Sequence, residues 1–94
     1  MSADMTTITS MEIRTRLSQL LEHLQPMLNI YDYNAAQTFM AEDLYTLTFE
    51  HLCEQLYEFQ TPIPGQLYAE LEDLGQALGY KDESHWRELM SQVI

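Results

Sequence analysis

Apolar residues along this chain of 94 residues recur at steps of three and four, and this spacing is the strongest limit on its fold. Residues spaced in this way share one face of an α-helix, whereas strands need apolar and polar residues in alternation. The clearest case is a helix predicted for residues 44–59, LYTLTFEHLCEQLYEF. Its apolar face consists of Tyr45, Phe49, Leu52, Leu56 and Phe59. The sequence therefore predicts an all-α fold, a compact bundle of four or five short helices in a single domain over residues 1–94.

Two helices are predicted before this one. The first runs from Ser10 to about Gln25 and stops at Pro26, because proline disfavours a continuing helix. A capping box of Thr9 and Glu12 would begin it, and residues 1–9 are expected to form a disordered lead. Its apolar positions are Ile13, Leu17, Leu20, Leu21, Leu24 and Leu28.

A connection over residues 29–34 then leads to a short second helix. That helix carries Ala35, Ala36, Phe39 and Met40. Asp43 is predicted to cap the helix of residues 44–59, since a short carboxylate suits the position before a first turn.

Two further helices are predicted after the breaker QTPIPG, residues 60–65, in which Ile63 is an apolar plug and Pro64 suits a first helical turn. The fourth helix buries Leu67, Leu71, Leu74 and Leu78. Gly75 inside it is expected to admit a close neighbour, and Gly79 is expected at its C-cap.

A final helix carries the apolar residues of the C-terminal segment. It is predicted to begin with Asp82 or Ser84 as its cap. Its apolar residues are Trp86, Leu89, Met90 and Val93. Four methionines, Met11, Met27, Met40 and Met90, are expected to fill the core.

Charge limits the possible partners. Asp and Glu number 15 against 4 Lys and Arg, a formal net charge of −11, and residues 17–80 hold no Lys or Arg at all. Such a chain repels phosphate, which disfavours nucleic acid and anionic membrane, so we expect neither as a partner. A basic partner is the electrostatic complement, and solubility alone is the other explanation for this acidity.

Known catalytic and targeting motifs are absent from the sequence. Cys53 is the only cysteine, so we expect neither a disulfide nor a cysteine-based zinc site, and we expect a buried thiol. Asp82, His85 and Glu88 are spaced for at most a weak metal face. We therefore expect no enzymatic activity, no cofactor and no metal, and the lack of a signal sequence or membrane span predicts a cytoplasmic protein.

The carboxylates form two groups on successive predicted helices. Glu50, Glu54 and Glu58 are four apart and make one stripe. Glu70, Glu72 and Asp73 follow on the next helix, again with no Lys or Arg nearby in sequence. The groups are either a solvated surface or, with the neighbouring tyrosines, a binding surface. The candidate partner-binding residues are Asp43, Glu50, Glu54, Tyr57, Glu58, Tyr68, Glu70 and Asp73.

Residues 51–80, HLCEQLYEFQTPIPGQLYAELEDLGQALGY, carry a pattern of helix-packing and turn residues. The pattern comprises Leu52, Cys53, Gln55, Leu56, Tyr57, Glu58, Pro62, Ile63, Leu74, Gly75, Ala77, Leu78 and Gly79, with Trp86 in the tail. This segment resembles the MafI-like immunity proteins of bacterial contact-dependent and polymorphic toxin systems. The resemblance implies an antitoxin-like protein that binds the C-terminal toxin domain of a delivered effector, in many cases a basic nuclease, and blocks its cleft with an acidic helical surface.

Two other functions fit the same sequence. An acidic helical protein can mimic nucleic acid and inhibit a DNA-binding protein, or it can be a non-catalytic helical adaptor whose acidity serves solubility. Binding to a toxin domain would indicate the immunity function, and capture of a host DNA-binding protein would indicate nucleic-acid mimicry. Binding that is insensitive to salt would indicate the adaptor.

Overall fold

The computed structural model describes residues 10–94, and the prediction of an all-α bundle is confirmed there by five α-helices. The predicted disordered lead and the Thr9 cap lie outside the described residues. The α-helices are α1 (Ser10–Leu24), α2 (Ile30–Ala41), α3 (Tyr45–Glu58), α4 (Gly65–Ala77) and α5 (Ser84–Arg87). Two 3₁₀ helices span Gln25–Met27 and Glu88–Gln92. Within this part of the chain, no helix is long and apolar enough to cross a membrane.

The buried side chains form one continuous cluster. α3 packs against α1, α2 and the C-terminal elements, while α1 packs against α4. The largest fully buried side chains include Phe49 and Trp86, together with leucines from α1, α3 and α4. The leucines predicted for the inner faces of α1 and α4 are buried, except Leu28 and Leu78, which are half-buried past the helix ends.

α1 follows its prediction, because Pro26 lies in the 3₁₀ turn directly after it. α2 is longer than predicted. Asn29 caps it by accepting a hydrogen bond from the Asp32 N–H at 2.9 Å, so the polar segment predicted as a connection forms the first turn of α2. The cap explains this, since it satisfies a backbone N–H that has no partner within the helix.

The predicted Asp43 cap of α3 is wrong. Leu44 takes the N-cap position, without a side-chain hydrogen bond, and Asp43 lies in a turn with φ of 60°. The Asp43 carboxylate instead accepts a hydrogen bond from the Tyr45 hydroxyl at 3.1 Å and pairs with Arg14 at 3.5 Å. At the other end, Phe59 lies just past α3 and is exposed, which corrects its predicted burial.

Ile63 is fully buried, as predicted, and also anchors the end of the chain. Its N–H donates to the Gln92 carbonyl at 2.8 Å, and its carbonyl accepts from the Ile94 N–H at 2.9 Å. Pro64 takes the N-cap position of α4 rather than its first turn. Gly79 has φ of +95°, the left-handed conformation expected at a helix C-cap.

The predicted final helix breaks into α5 and a 3₁₀ helix. Trp86 and Leu89 are buried as predicted, but Met90 and Val93 are exposed. The change of helix type rotates these side chains away from the core, because 3₁₀ and α-helices differ in residues per turn. Asp82 does not cap α5, where Glu83 is the N-cap, but its carboxylate accepts hydrogen bonds from the Ser84 N–H and hydroxyl.

The methionines divide between core and surface. Met40 is buried and Met27 is half-buried against the core. Met11 is 78% exposed, so its prediction as core filler is wrong, like that of Met90.

Candidate functional site

A cleft of about 550 Å³ lies between α3 and the C-terminal segment, and we call it the acidic cleft. Its lining residues are Cys53, Glu54, Tyr57, Glu58, Gln60, His85 and Glu88. Three of these are carboxylates, and the structure brings them together from two separate elements. The cleft therefore concentrates negative charge in a concave part of the surface.

Glu54 and Glu58 are one turn apart on α3, so they project from the same side of that helix. Glu88 is the first residue of the 3₁₀ helix that follows α5. The buried Trp86 holds α5 in position. In the part of the chain that the structure describes, no Lys, Arg or His lies within ion-pair distance of these three carboxylates. The three carboxylates therefore have no ion-pair partner among the described residues.

Tyr57 supplies an aromatic surface beside the carboxylates. Its side chain is 44% exposed at the edge of the cleft. A half-exposed tyrosine next to unpaired carboxylates combines apolar area with hydrogen bonding, which is typical of binding surfaces for a protein partner.

Glu50, the first residue of the predicted stripe, has a different environment. Its Oε2 accepts a hydrogen bond from the Tyr80 hydroxyl at 2.6 Å and lies 3.9 Å from His85 Nε2. Burial, followed by the hydrogen bond to Glu50, raises the pKa of Tyr80 above its ordinary value, so the phenol stays protonated and donates. Glu50 therefore links α3 to the loop before α5 and stands at the margin of the cleft.

Cys53 is buried, as predicted, at the inner side of the cleft. Burial, with Glu50 and Glu54 adding to it, raises the pKa of its thiol to about 12. The thiolate is the nucleophilic form of cysteine, so this side chain is held in its unreactive state.

The second carboxylate group does not join the acidic cleft. Asp73 pairs with Arg16 of α1 at 2.8 Å, and Glu70 lies 3.3 Å from His23 Nδ1. The residues nearby in sequence predicted that this group has no countercharge. That prediction is wrong, because Asp73 is paired with Arg16. α4 packs against α1, which carries two of the four basic residues of the chain.

Two other predicted site residues also lie away from the cleft. Asp43 is paired with Arg14, as described above. Tyr68 of α4 is half-buried, and its pKa is raised by burial first and then by Glu72 and Glu83. Of the eight candidate residues, Glu54, Tyr57 and Glu58 line the cleft and Glu50 borders it.

His85, Glu88 and Gln60 line the cleft but were not among the predicted binding residues. For His85 and Glu88, the signal in the sequence was their three-residue spacing, which placed both on one face of the predicted helix, beside Asp82. Across residues 10–94, no group of three or more His, Cys, Asp or Glu side chains is arranged to hold a metal ion.

The remaining histidines serve structural contacts. His51 Nε2 lies 3.2 Å from the Asp32 carbonyl, and its ring meets Phe39 edge-on with centroids 5.6 Å apart. His23 is exposed beside Glu70.

Comparison of the chain with protein-family models, with curated proteins and with solved structures gave no match.

Proposed function

We propose that this protein is an immunity protein that binds a basic toxin domain through the acidic cleft and neutralises it. The observation that carries the proposal is the set of three carboxylates, Glu54, Glu58 and Glu88, which converge from two elements and have no ion-pair partner within residues 10–94. Holding like charges together costs stability, so a cationic partner that relieves the repulsion gains binding energy.

The chemistry of the cleft supports a partner rich in Lys and Arg. Charged hydrogen bonds from guanidinium groups to carboxylates are strong and directional, and Tyr57 offers an aromatic face for the same cations. A net charge of −11 would also speed the encounter with a basic domain.

The resemblance of residues 51–80 to MafI-like immunity proteins supports the same function. In this proposal the protein acts in the cytoplasm of the producing bacterium, where it covers the basic, phosphate-binding cleft of a toxic nuclease. It needs no catalysis, metal or cofactor, because the inhibition is by occupation of the toxin surface.

The first test concerns the neighbouring gene. We expect a large effector gene directly upstream, whose C-terminal domain is toxic when expressed alone and is neutralised by coexpression of this protein. A C-terminal domain that remains toxic in the presence of this protein would contradict the proposal.

The second test maps the surface by charge neutralisation. The variant Glu54→Gln/Glu58→Gln removes two charges from the cleft, and the control Glu22→Gln/Glu42→Gln removes two from exposed positions elsewhere. We expect the cleft variant to bind the toxin domain at least tenfold more weakly, about 1.4 kcal/mol, and to show a smaller salt dependence.

Equal affinity of the two variants would assign the effect of charge to the whole molecule rather than to the cleft. Recovery of a host DNA-binding protein from lysate, with no affinity for the toxin domain, would contradict the immunity function and favour nucleic-acid mimicry.

A further inference from the structure

A smaller pocket lies beside the end of α3, with a volume of about 220 Å³. It is formed where the 3₁₀ turn after α1 and the start of α2 meet the last turn of α3. Its lining includes the large apolar side chains of Met27, Leu28 and Phe59, for which we call it the apolar pocket. The polar side chains in its lining include Asn29, Asp32 and Gln55.

The glutamates of α3 lie between the apolar pocket and the acidic cleft. Successive residues of an α-helix are about 100° apart around its axis. Tyr57 of the acidic cleft therefore lies on one side of Glu58, and Phe59 of the apolar pocket lies on the other. One turn earlier, Glu54 lies next to Gln55 of the apolar pocket in the same way. A partner seated on the two glutamates thus reaches both concavities.

The apolar pocket leaves hydrophobic surface in contact with water. Phe59 is 60% exposed, and Met27 and Leu28 are half-buried beside it. Single exposed apolar residues are common on protein surfaces, but these three line one concavity. An apolar side chain placed there would remove this surface from water, which favours association.

The charge beside the apolar pocket selects its occupant. A second copy of this chain would bring another net charge of −11 to the same face. Its arginines Arg14, Arg16 and Arg87 are already paired with carboxylates of their own chain. Self-association through this face is therefore disfavoured, whereas a protein that carries Lys or Arg next to an exposed apolar side chain complements both the glutamates and the pocket.

We propose that the apolar pocket receives an apolar side chain of the basic partner, whose neighbouring Lys or Arg side chains pair with Glu54 and Glu58. The inference rests on the proposed function and adds a second contribution to the same interface. The charges speed the encounter with the toxin domain, and the buried apolar side chain slows its release, since affinity differences at one interface lie mostly in the dissociation rate.

The test measures binding of the C-terminal domain encoded by the upstream effector gene, by surface plasmon resonance at several salt concentrations. Phe59→Ala removes an apolar wall of the pocket, and the control Tyr31→Ala removes an aromatic ring that is 81% exposed outside the lining of the pocket. We expect Phe59→Ala to weaken binding about five- to fiftyfold through faster dissociation, with the salt dependence of the wild type. Tyr31→Ala should change the affinity less than about twofold.

The variant Glu54→Gln/Glu58→Gln, measured in the same series, separates the pocket from the proposed function. Equal affinities of Phe59→Ala and Tyr31→Ala, with weaker binding of the glutamate variant, would overturn the apolar pocket and leave the immunity function standing. A wild type that does not bind the toxin domain would overturn both.

A conservative variant distinguishes the apolar contact from a change in the fold. Phe59→Leu keeps the wall of the pocket apolar and should bind within about threefold of the wild type. A loss as large as that of Phe59→Ala would contradict the inference. Circular dichroism of each variant checks that the helices are retained.

Discussion

Gly75 of α4 lies directly against the six-membered ring of Trp86. A β-carbon built on Gly75 would approach Cε3 of that ring to 2.6 Å, closer than real side-chain contacts allow. The glycine therefore permits the close approach of α5 to α4 that the sequence suggested. Trp86 uses this space to reach the core, where it also meets Phe49 at a centroid distance of 6.0 Å. The acidic cleft depends on this contact, because α5 and the residues after it supply His85 and Glu88.

The first prediction concerns that contact. Gly75→Ala should lower the free energy of unfolding by about 1–3 kcal/mol, because the new methyl group overpacks the Trp86 ring, even though alanine is the better helix former. Urea unfolding followed by circular dichroism measures the change. Gly65→Ala is the control, since within residues 10–94 its β-carbon would meet only Val93, at 3.9 Å. A stabilised Gly75→Ala would show that the indole ring shifts freely.

Gln92 is predicted to hold the end of the chain in place. Its buried Nε2 donates to the carbonyls of Leu56 and Thr61, at 2.8 and 2.9 Å. Gln92→Ala leaves both carbonyls without this donor and should cost about 1–3 kcal/mol of unfolding free energy. Gln76→Ala, at an exposed position of α4, should change stability by less than about 0.5 kcal/mol. Thermal unfolding of the two variants side by side checks this, and equal melting temperatures would disprove it.

The hydrogen bond between Tyr80 and Glu50 is predicted to contribute to stability. Tyr80→Phe removes the hydroxyl that donates at 2.6 Å to a carboxylate and should cost about 1–2 kcal/mol. Tyr31→Phe removes a hydroxyl from a side chain that is 81% exposed, so we expect almost no change. Chemical unfolding at neutral pH compares them, and a neutral effect of Tyr80→Phe would mean that water replaces the bond without loss.

Cys53 is predicted to resist thiol reagents in the folded protein. With its pKa raised to about 12, the thiol stays protonated through neutral and mildly alkaline pH, and burial blocks access. A chromogenic disulfide reagent at pH 8 should label the native protein at least a hundredfold more slowly than the protein in guanidinium chloride. Equal labelling rates would show that the core opens readily around α3.

The unfolding free energy should also respond to alkaline pH through Cys53. In the unfolded chain the thiol ionises near its ordinary pKa of about 9, whereas in the folded protein it keeps its proton to about 12. The unfolded state therefore binds fewer protons in this range, so stability falls as pH rises from 9 towards 12. Cys53→Ala should flatten this part of the stability profile measured by urea unfolding.

The sequence predicted the helices well where the spacing of apolar residues was regular. α1, α3 and α4 were predicted nearly to their ends, because a helix with one apolar face shows that face in its sequence. The start of α2 was missed because its first turn depends on a single cap, Asn29, and carries no apolar stripe. The end of the C-terminal helix was missed because the change to 3₁₀ geometry follows from how the segment is held by Ile63 and Gln92.

The candidate site was predicted only in part, for a related reason. Glu54, Tyr57 and Glu58 were identified because they lie on one helix with a strong pattern. Glu88 was not, since its proximity to them depends on the packing of α5 against α3. Glu70 and Asp73 have side-chain partners on α1 that no local pattern indicated, 47 and 57 residues away.

By itself, then, the sequence determined the helical class, most of the buried faces and the large excess of negative charge. These properties follow from neighbouring residues, whose side chains are placed relative to one another by the helix itself. The tertiary structure decided which carboxylates are paired and which are left open. That depends on which helices meet: α1 brings Arg16 and His23 to α4, while the acidic and basic side chains that α3 and the C-terminal segment bring to the acidic cleft are three carboxylates and His85.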